Sequence, residues 1–184
     1  ANYSFKHALV RDAAYGTLLR EPRRGLHARI TEALEGIFPE VAENQPEVMA
    51  YHCTEAGLIE KAVLFWEKVG LRSLARSALV ESVTQLTRAL DLIATLPSSA
   101  TVRGEQIKLQ IMLIQPLCQT KGYGSPESQA AVNRAGELIS TSERLGDVSE
   151  SSSLLFSVLI GTWAKNYVKF EADNIGRLSD EILG

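Results

Sequence analysis

The chain has 184 residues, 45% of them hydrophobic, enough for one well-buried domain or for an elongated stack of helices. Six prolines and the lack of any low-complexity tract exclude a disordered chain. A formal net charge of -3 argues against a dedicated nucleic-acid binder.

The charge is unevenly placed. Residues 1–29 hold six basic residues against Asp12 and Glu21, whereas residues 30–60 hold seven acids and no Lys or Arg. This suggests two surfaces with different neighbours, or simply a solvated helix surface. Within the basic part, Arg20, Arg23, Arg24 and Arg29 form a cluster that suits phosphate or an acidic partner. Such a cluster more often marks the solvated start of a helix.

From the N-terminus onward the apolar period is helical almost everywhere; only Tyr3 to Lys6 hints at a strand. Leu26, Ile30, Ala33, Leu34, Ile37 and Phe38 make one stripe, and Pro39 is expected to end that helix. Pro46 suits the first turn of the next helix and Gly57 its C-cap. A long helix follows from Ile59 to about Ser77. Another carries Leu79, Val83, Leu86, Leu90 and Ile93 and stops at Pro97. Ser98-Ser99 suit the cap of a helix that turns apolar from Ile107 to Cys118. Lys121 to Pro126 is a turn, with Ser125 as N-cap and Pro126 at the first helical position. Helices are then expected at about 127–145, 149–168 and 170–183. Eight or nine helices with short loops make antiparallel hairpins, and many hairpins in succession suggest a solenoid.

A repeat test supports this. Trp66, Val69, Gly70 and Ser73, followed by Ser82, Leu86 and Ala89, sit at the spacing of a tetratricopeptide repeat, in which small residues let paired helices approach. Ser73 stands where the repeat usually has an aromatic. A second register, with Gly57, Ala62, Trp66 and Val69 in the second helix, also fits.

Catalytic patterns are missing from the sequence. His7, His27 and His52 lie on different predicted segments and read as surface or packing residues. There is no HExxH, no nucleophile motif, and Gly122-Tyr123-Gly124 lacks the Gly-Lys-Ser/Thr of a P-loop. Cys53 and Cys118 form no CxxC, so neither a metal site nor a disulfide framework is expected, and a reducing cytoplasm fits. No apolar run approaches the roughly 20 residues that span a bilayer. No signal peptide opens the chain, and both ends read as cuts within a longer protein.

The phrase Tyr3-Ser4-Phe5-Lys6-His7-Ala8-Leu9-Val10-Arg11-Asp12-Ala13-Ala14-Tyr15 carries a resemblance that continues in order through Leu26-His27, Ala50-Tyr51-His52, Glu55-Ala56-Gly57, Leu86-Thr87-Arg88-Ala89-Leu90 and Glu143-Arg144-Leu145-Gly146-Asp147. It resembles large bacterial regulators that join a class III adenylate/guanylate cyclase domain, or a helix-turn-helix domain, to a STAND-type ATPase and a tetratricopeptide-like tail. The resemblance implies an all-α chain. Residues 1–20 would be the end of a winged-helix module with its junction helix, and residues 21–184 hairpins stacked as a right-handed solenoid. It implies a non-catalytic regulatory domain with no cofactor of its own, bound by a protein partner or by the parent's ATPase and cyclase domains, with homo-oligomers also open. In the register anchored at Trp66, the groove-facing positions are Leu64, Glu67, Leu71, Leu74 and Ala75. In such regulators a histidine in this phrase contacts the phosphate of bound ADP, which His7 would do in the full-length parent; Ala8 departs from the usual Asp. Two rival readings remain: a nucleic-acid-binding accessory domain using the basic cluster, and a helical domain holding a small-molecule effector.

Overall fold

The computed structural model describes residues 19–146 together with Phe156, Ile160, Trp163, Ala164, Tyr167 and Val168. Among these residues the ordered structure is all helical, without a strand. The elements are α1 (Arg20–Gly36), α2 (Pro39–Asn44), α3 (Pro46–Ala56), α4 (Ile59–Ala75), α5 (Leu79–Ile93), α6 (Ala100–Lys121) and α7 (Pro126–Leu145). The expected strand at Tyr3 to Lys6, the winged-helix remnant up to residue 18 and the helix at 170–183 lie outside the described residues. Phe156, Ile160, Trp163, Ala164, Tyr167 and Val168 are helical, within the helix expected at 149–168.

Local backbone chemistry sets most boundaries. Gly57 and Gly146 take left-handed φ of 74° and 73° after α3 and α7, where glycine has no Cβ to clash. Leu58 N–H then reaches back to the Cys53 carbonyl at 2.9 Å, satisfying an acceptor that α3 leaves open. Ser77 performs the same task after α4 with φ 59°, with Ala78 N–H donating to the Ser73 carbonyl at 2.9 Å. Ser99 and Ser125 cap α6 and α7 by accepting from the amides of Val102 and Ser128.

Two expectations at the start of the chain are corrected. Pro39 does not end the first helix. That helix stops at Gly36, and Pro39 opens the six-residue α2, where its missing N–H costs nothing. The apolar stripe is only partly covered: Ile30, Ala33 and Leu34 are half-buried, Leu26, Ile37 and Phe38 are exposed, and the fully buried residues of α1 are His27 and Thr31, one turn apart.

The structure divides into two units between Phe65 and Trp66, inside α4. In the first, α1 packs on α3, with the short α2 touching both. Met49, Ala50 and Cys53 of α3 are fully buried. In the second, α6 lies between α5 and α7. This placement explains why Ile107 to Cys118 is apolar around most of the helix: both sides are covered. Pro116, inside α6, is buried with them. Ile107 and Ile111 meet Leu138 and Ile139 of α7, with Phe156 packed against the cluster. Trp163 donates its indole N–H to the Tyr123 carbonyl at 3.1 Å, tying its helix to the α6–α7 turn.

Candidate functional site

The repeat-spaced residues converge in the second unit. Val69, Gly70 and Ser73 on α4, and Ser82, Leu86 and Ala89 on α5, are all buried. A Cβ on Gly70 would lie 2.8 Å from Leu86 Cγ and Cδ2, and Ser82 Oγ donates to the Gly70 carbonyl at 2.9 Å. The two backbones approach because position 70 has no side chain and because the hydroxyl at 82 is short enough to bond across the gap. Trp66 is 9% exposed, and the Arg88 guanidinium sits 4.6 Å from the centre of its ring.

The expected groove positions are treated unevenly. Leu71 and Ala75 of the second unit are exposed, four positions apart on one face, and Leu64 of the first unit is exposed. Leu74 is half-buried. Glu67 is 8% exposed, and its carboxylate is held by Lys108 at 2.8 Å, so it serves the packing of its own unit. Desolvation by burial lowers the Lys108 pKa, but the hydrogen bonds and charges of Glu67 and Glu105 together outweigh it and raise the pKa. No strong sequence signal joined residues 41 positions apart.

Of the basic cluster, Arg20, Arg23 and Arg24 line one wall of a cavity of about 630 Å³ in the first unit, facing Thr54, Glu55 and Gly57. Arg29 is exposed and is not among the lining residues, since five positions beyond Arg24 turn it to another face of α1. Arg24 is seated by Gly57: a Cβ there would collide with the Arg24 guanidinium at Nη2. Arg24 Nε donates to the Ala56 carbonyl at 3.5 Å, and its Nη1 meets Glu21 at 3.4 Å.

The histidines gave no sequence signal of a partnership, yet two of them meet. His27 on α1 and His52 on α3 bring their Nδ1 atoms to 2.7 Å, with the Tyr51 ring edge-on to both. At this distance one ring donates and the other accepts, so the pair holds a single proton between the two nitrogens. Burial lowers the pKa of both. Glu55 opposes the shift in each, and Arg23 lowers His27 further while His27 lowers His52. The folded chain therefore binds fewer protons than the unfolded chain as pH falls through the ordinary histidine range near 6.5. Stability from this pair is present above that value and is lost progressively below it. Urea midpoints of the wild type should drop more steeply between pH 7.5 and 5.5 than those of His52→Gln. Parallel slopes would mean that the pair contributes nothing to the pH dependence. His7 lies outside the described residues.

Among the described residues no three His, Cys, Asp or Glu side chains are grouped to hold a metal ion, and no helix is long and apolar enough to cross a membrane. Cys53 and Cys118 are buried free thiols whose pKa values burial pushes up, so neither is poised as a nucleophile.

No family model and no solved structure matches the chain. Over 161 residues it is 30% identical to an uncharacterized protein of Rhizobium meliloti (strain 1021). The match takes in 88% of the chain but 15% of that protein, so the chain is similar to a small part of a much longer polypeptide.

Proposed function

We propose that the chain is a non-catalytic regulatory and protein-interaction domain of a multidomain cytoplasmic ATPase signalling protein of the kind fused to an adenylate/guanylate cyclase. Its hairpins form a tetratricopeptide-like right-handed solenoid, preceded by the end of a winged-helix module. The observation that carries this reading is the contact of α4 with α5, where Gly70, Ser82 and Leu86 meet at the repeat's spacing. Sequential pairing of α5, α6 and α7 supports it, because stacked hairpins offer a surface without a catalytic pocket. The similarity to part of a long polypeptide supports a domain that works within a larger chain.

On this reading the exposed Leu71 faces a partner or the parent's own domains, and the activity belongs to the parent. The isolated chain should neither hydrolyse ATP nor make cyclic nucleotide. In the full-length protein, Leu71→Glu should change basal ATP hydrolysis or cyclic-nucleotide output with the helix content intact, and His7→Ala should weaken retention of ADP. Turnover by the isolated chain that survives purification would overturn the regulatory reading. Unchanged output in the Leu71→Glu protein would remove α4 as its contact surface.

A further inference from the structure

The cavity beside α1 belongs neither to the repeat contact nor to the exposed line of α4. We propose that it is a binding site for a small organic molecule carrying a phosphoryl group, gripped by Arg20 and Arg24 with Arg23 beside them. Glu55 faces the three guanidiniums and Glu21 pairs with Arg24, so the positive charge that an anionic ligand would neutralise is chiefly that of Arg20. Arg20 and Arg24 are four positions apart on one helix, and Arg23 is three from Arg20. These spacings put the three side chains on one face of α1.

The chemistry of the ligand follows from the donors. Guanidinium forks match the paired oxygens of phosphate or carboxylate. A lone carboxylate occupies one fork, whereas a phosphoryl group offers three oxygens and up to two charges to neighbouring arginines. Arg20 has no hydrogen bond or ion pair among the described residues, and the two contacts of Arg24 leave further N–H groups to donate. The Thr54 hydroxyl donates to the Ala50 carbonyl at 2.7 Å, so the arginines are the anion donors of this site. A volume of about 630 Å³ falls in the range of organic-ligand pockets and exceeds what a bare ion needs. Ile59 supplies an apolar wall, and Glu55 can accept from a hydroxyl or amine on the ligand body.

Gly57 is the positioning residue. Its left-handed φ closes α3, and its bare Cα leaves room for the Arg24 guanidinium. Asparagine tolerates the left-handed backbone, but its side chain would push Arg24 aside.

Inorganic pyrophosphate is the probe. Calorimetric titration of the whole chain at low salt should show one saturable site, with citrate binding more weakly. Arg24→Gln, Arg20→Gln and Gly57→Asn should each weaken binding by about tenfold or more, the loss of roughly one charge-assisted hydrogen bond. Arg29→Gln, on another face, should bind like wild type. Circular dichroism melts establish that each variant is folded; Arg20 is exposed, so its variant keeps the test available if Gly57→Asn unfolds. No saturable binding, or equal binding by Arg20→Gln and Arg24→Gln, would overturn the site. Citrate binding as tightly as pyrophosphate would overturn the phosphoryl assignment.

Discussion

Replacing Trp66 with alanine is expected to destabilise the second unit by about 3–5 kcal/mol, the range for truncating a buried aromatic. Trp66 is 9% exposed, and Val69, one turn further along its helix, is buried as well. The truncated side chain would leave a void that rigid helices fill only in part. The Arg88 guanidinium over the ring adds a second, smaller contribution, on the order of 0.5–1 kcal/mol at an exposed position. Arg88→Ala should therefore cost far less than Trp66→Ala. Guanidinium melts followed by far-ultraviolet circular dichroism separate these cases. A loss below about 1 kcal/mol for Trp66→Ala would show that the ring is not a core wedge, and the repeat register anchored on it would fall.

The second large effect is at Leu86, which is fully buried on α5 against Gly70. Leu86→Ala should cost about 2–5 kcal/mol. Gly70 makes the test sharper, because two opposing terms act there. Alanine is favoured over glycine inside a helix by roughly 1 kcal/mol. In the wild-type chain, however, the added methyl would sit 2.8 Å from Leu86 Cγ and Cδ2. Overpacking of a filled site costs about 1–3 kcal/mol, so Gly70→Ala should be net destabilising. In the Leu86→Ala background the clash is gone, and the same substitution should become stabilising by up to about 1 kcal/mol. Melts of the two single variants and the double variant check this change of sign. Additive effects would mean that α4 and α5 do not approach at Gly70, which would remove the observation on which the proposed function rests.

The functional proposals differ in how much of them the sequence exposed. The basic residues were visible as a cluster of four, but their grouping was not. Whether Arg20, Arg23 and Arg24 share a cavity while Arg29 does not depends on the turn of α1 and on α3 ending at Gly57 opposite them. The groove positions came from the resemblance, in the register anchored at Trp66; of them Leu64, Leu71 and Ala75 are exposed. The burial of Glu67 was not legible, because it depends on Lys108 arriving from a later helix.

By itself the sequence determined the helical character of the described chain and most of its boundaries. Pro46, Gly57, Ser99, Ser125-Pro126 and Gly146 act through dihedral limits and hydrogen bonds within a few residues, so their effects are local and readable in one dimension. The repeat-spaced small residues were readable for the same reason, since backbone approach demands small side chains wherever the partner helix comes from. The tertiary structure alone decided which face of α1 is buried, because that depends on the rotation of α1 against α3. The result leaves Leu26, Ile37 and Phe38 exposed and places His27 against His52. Pro39 shows the same division. Its backbone chemistry permits either the end of one helix or the start of another, and the chain used the second once α1 had stopped at Gly36.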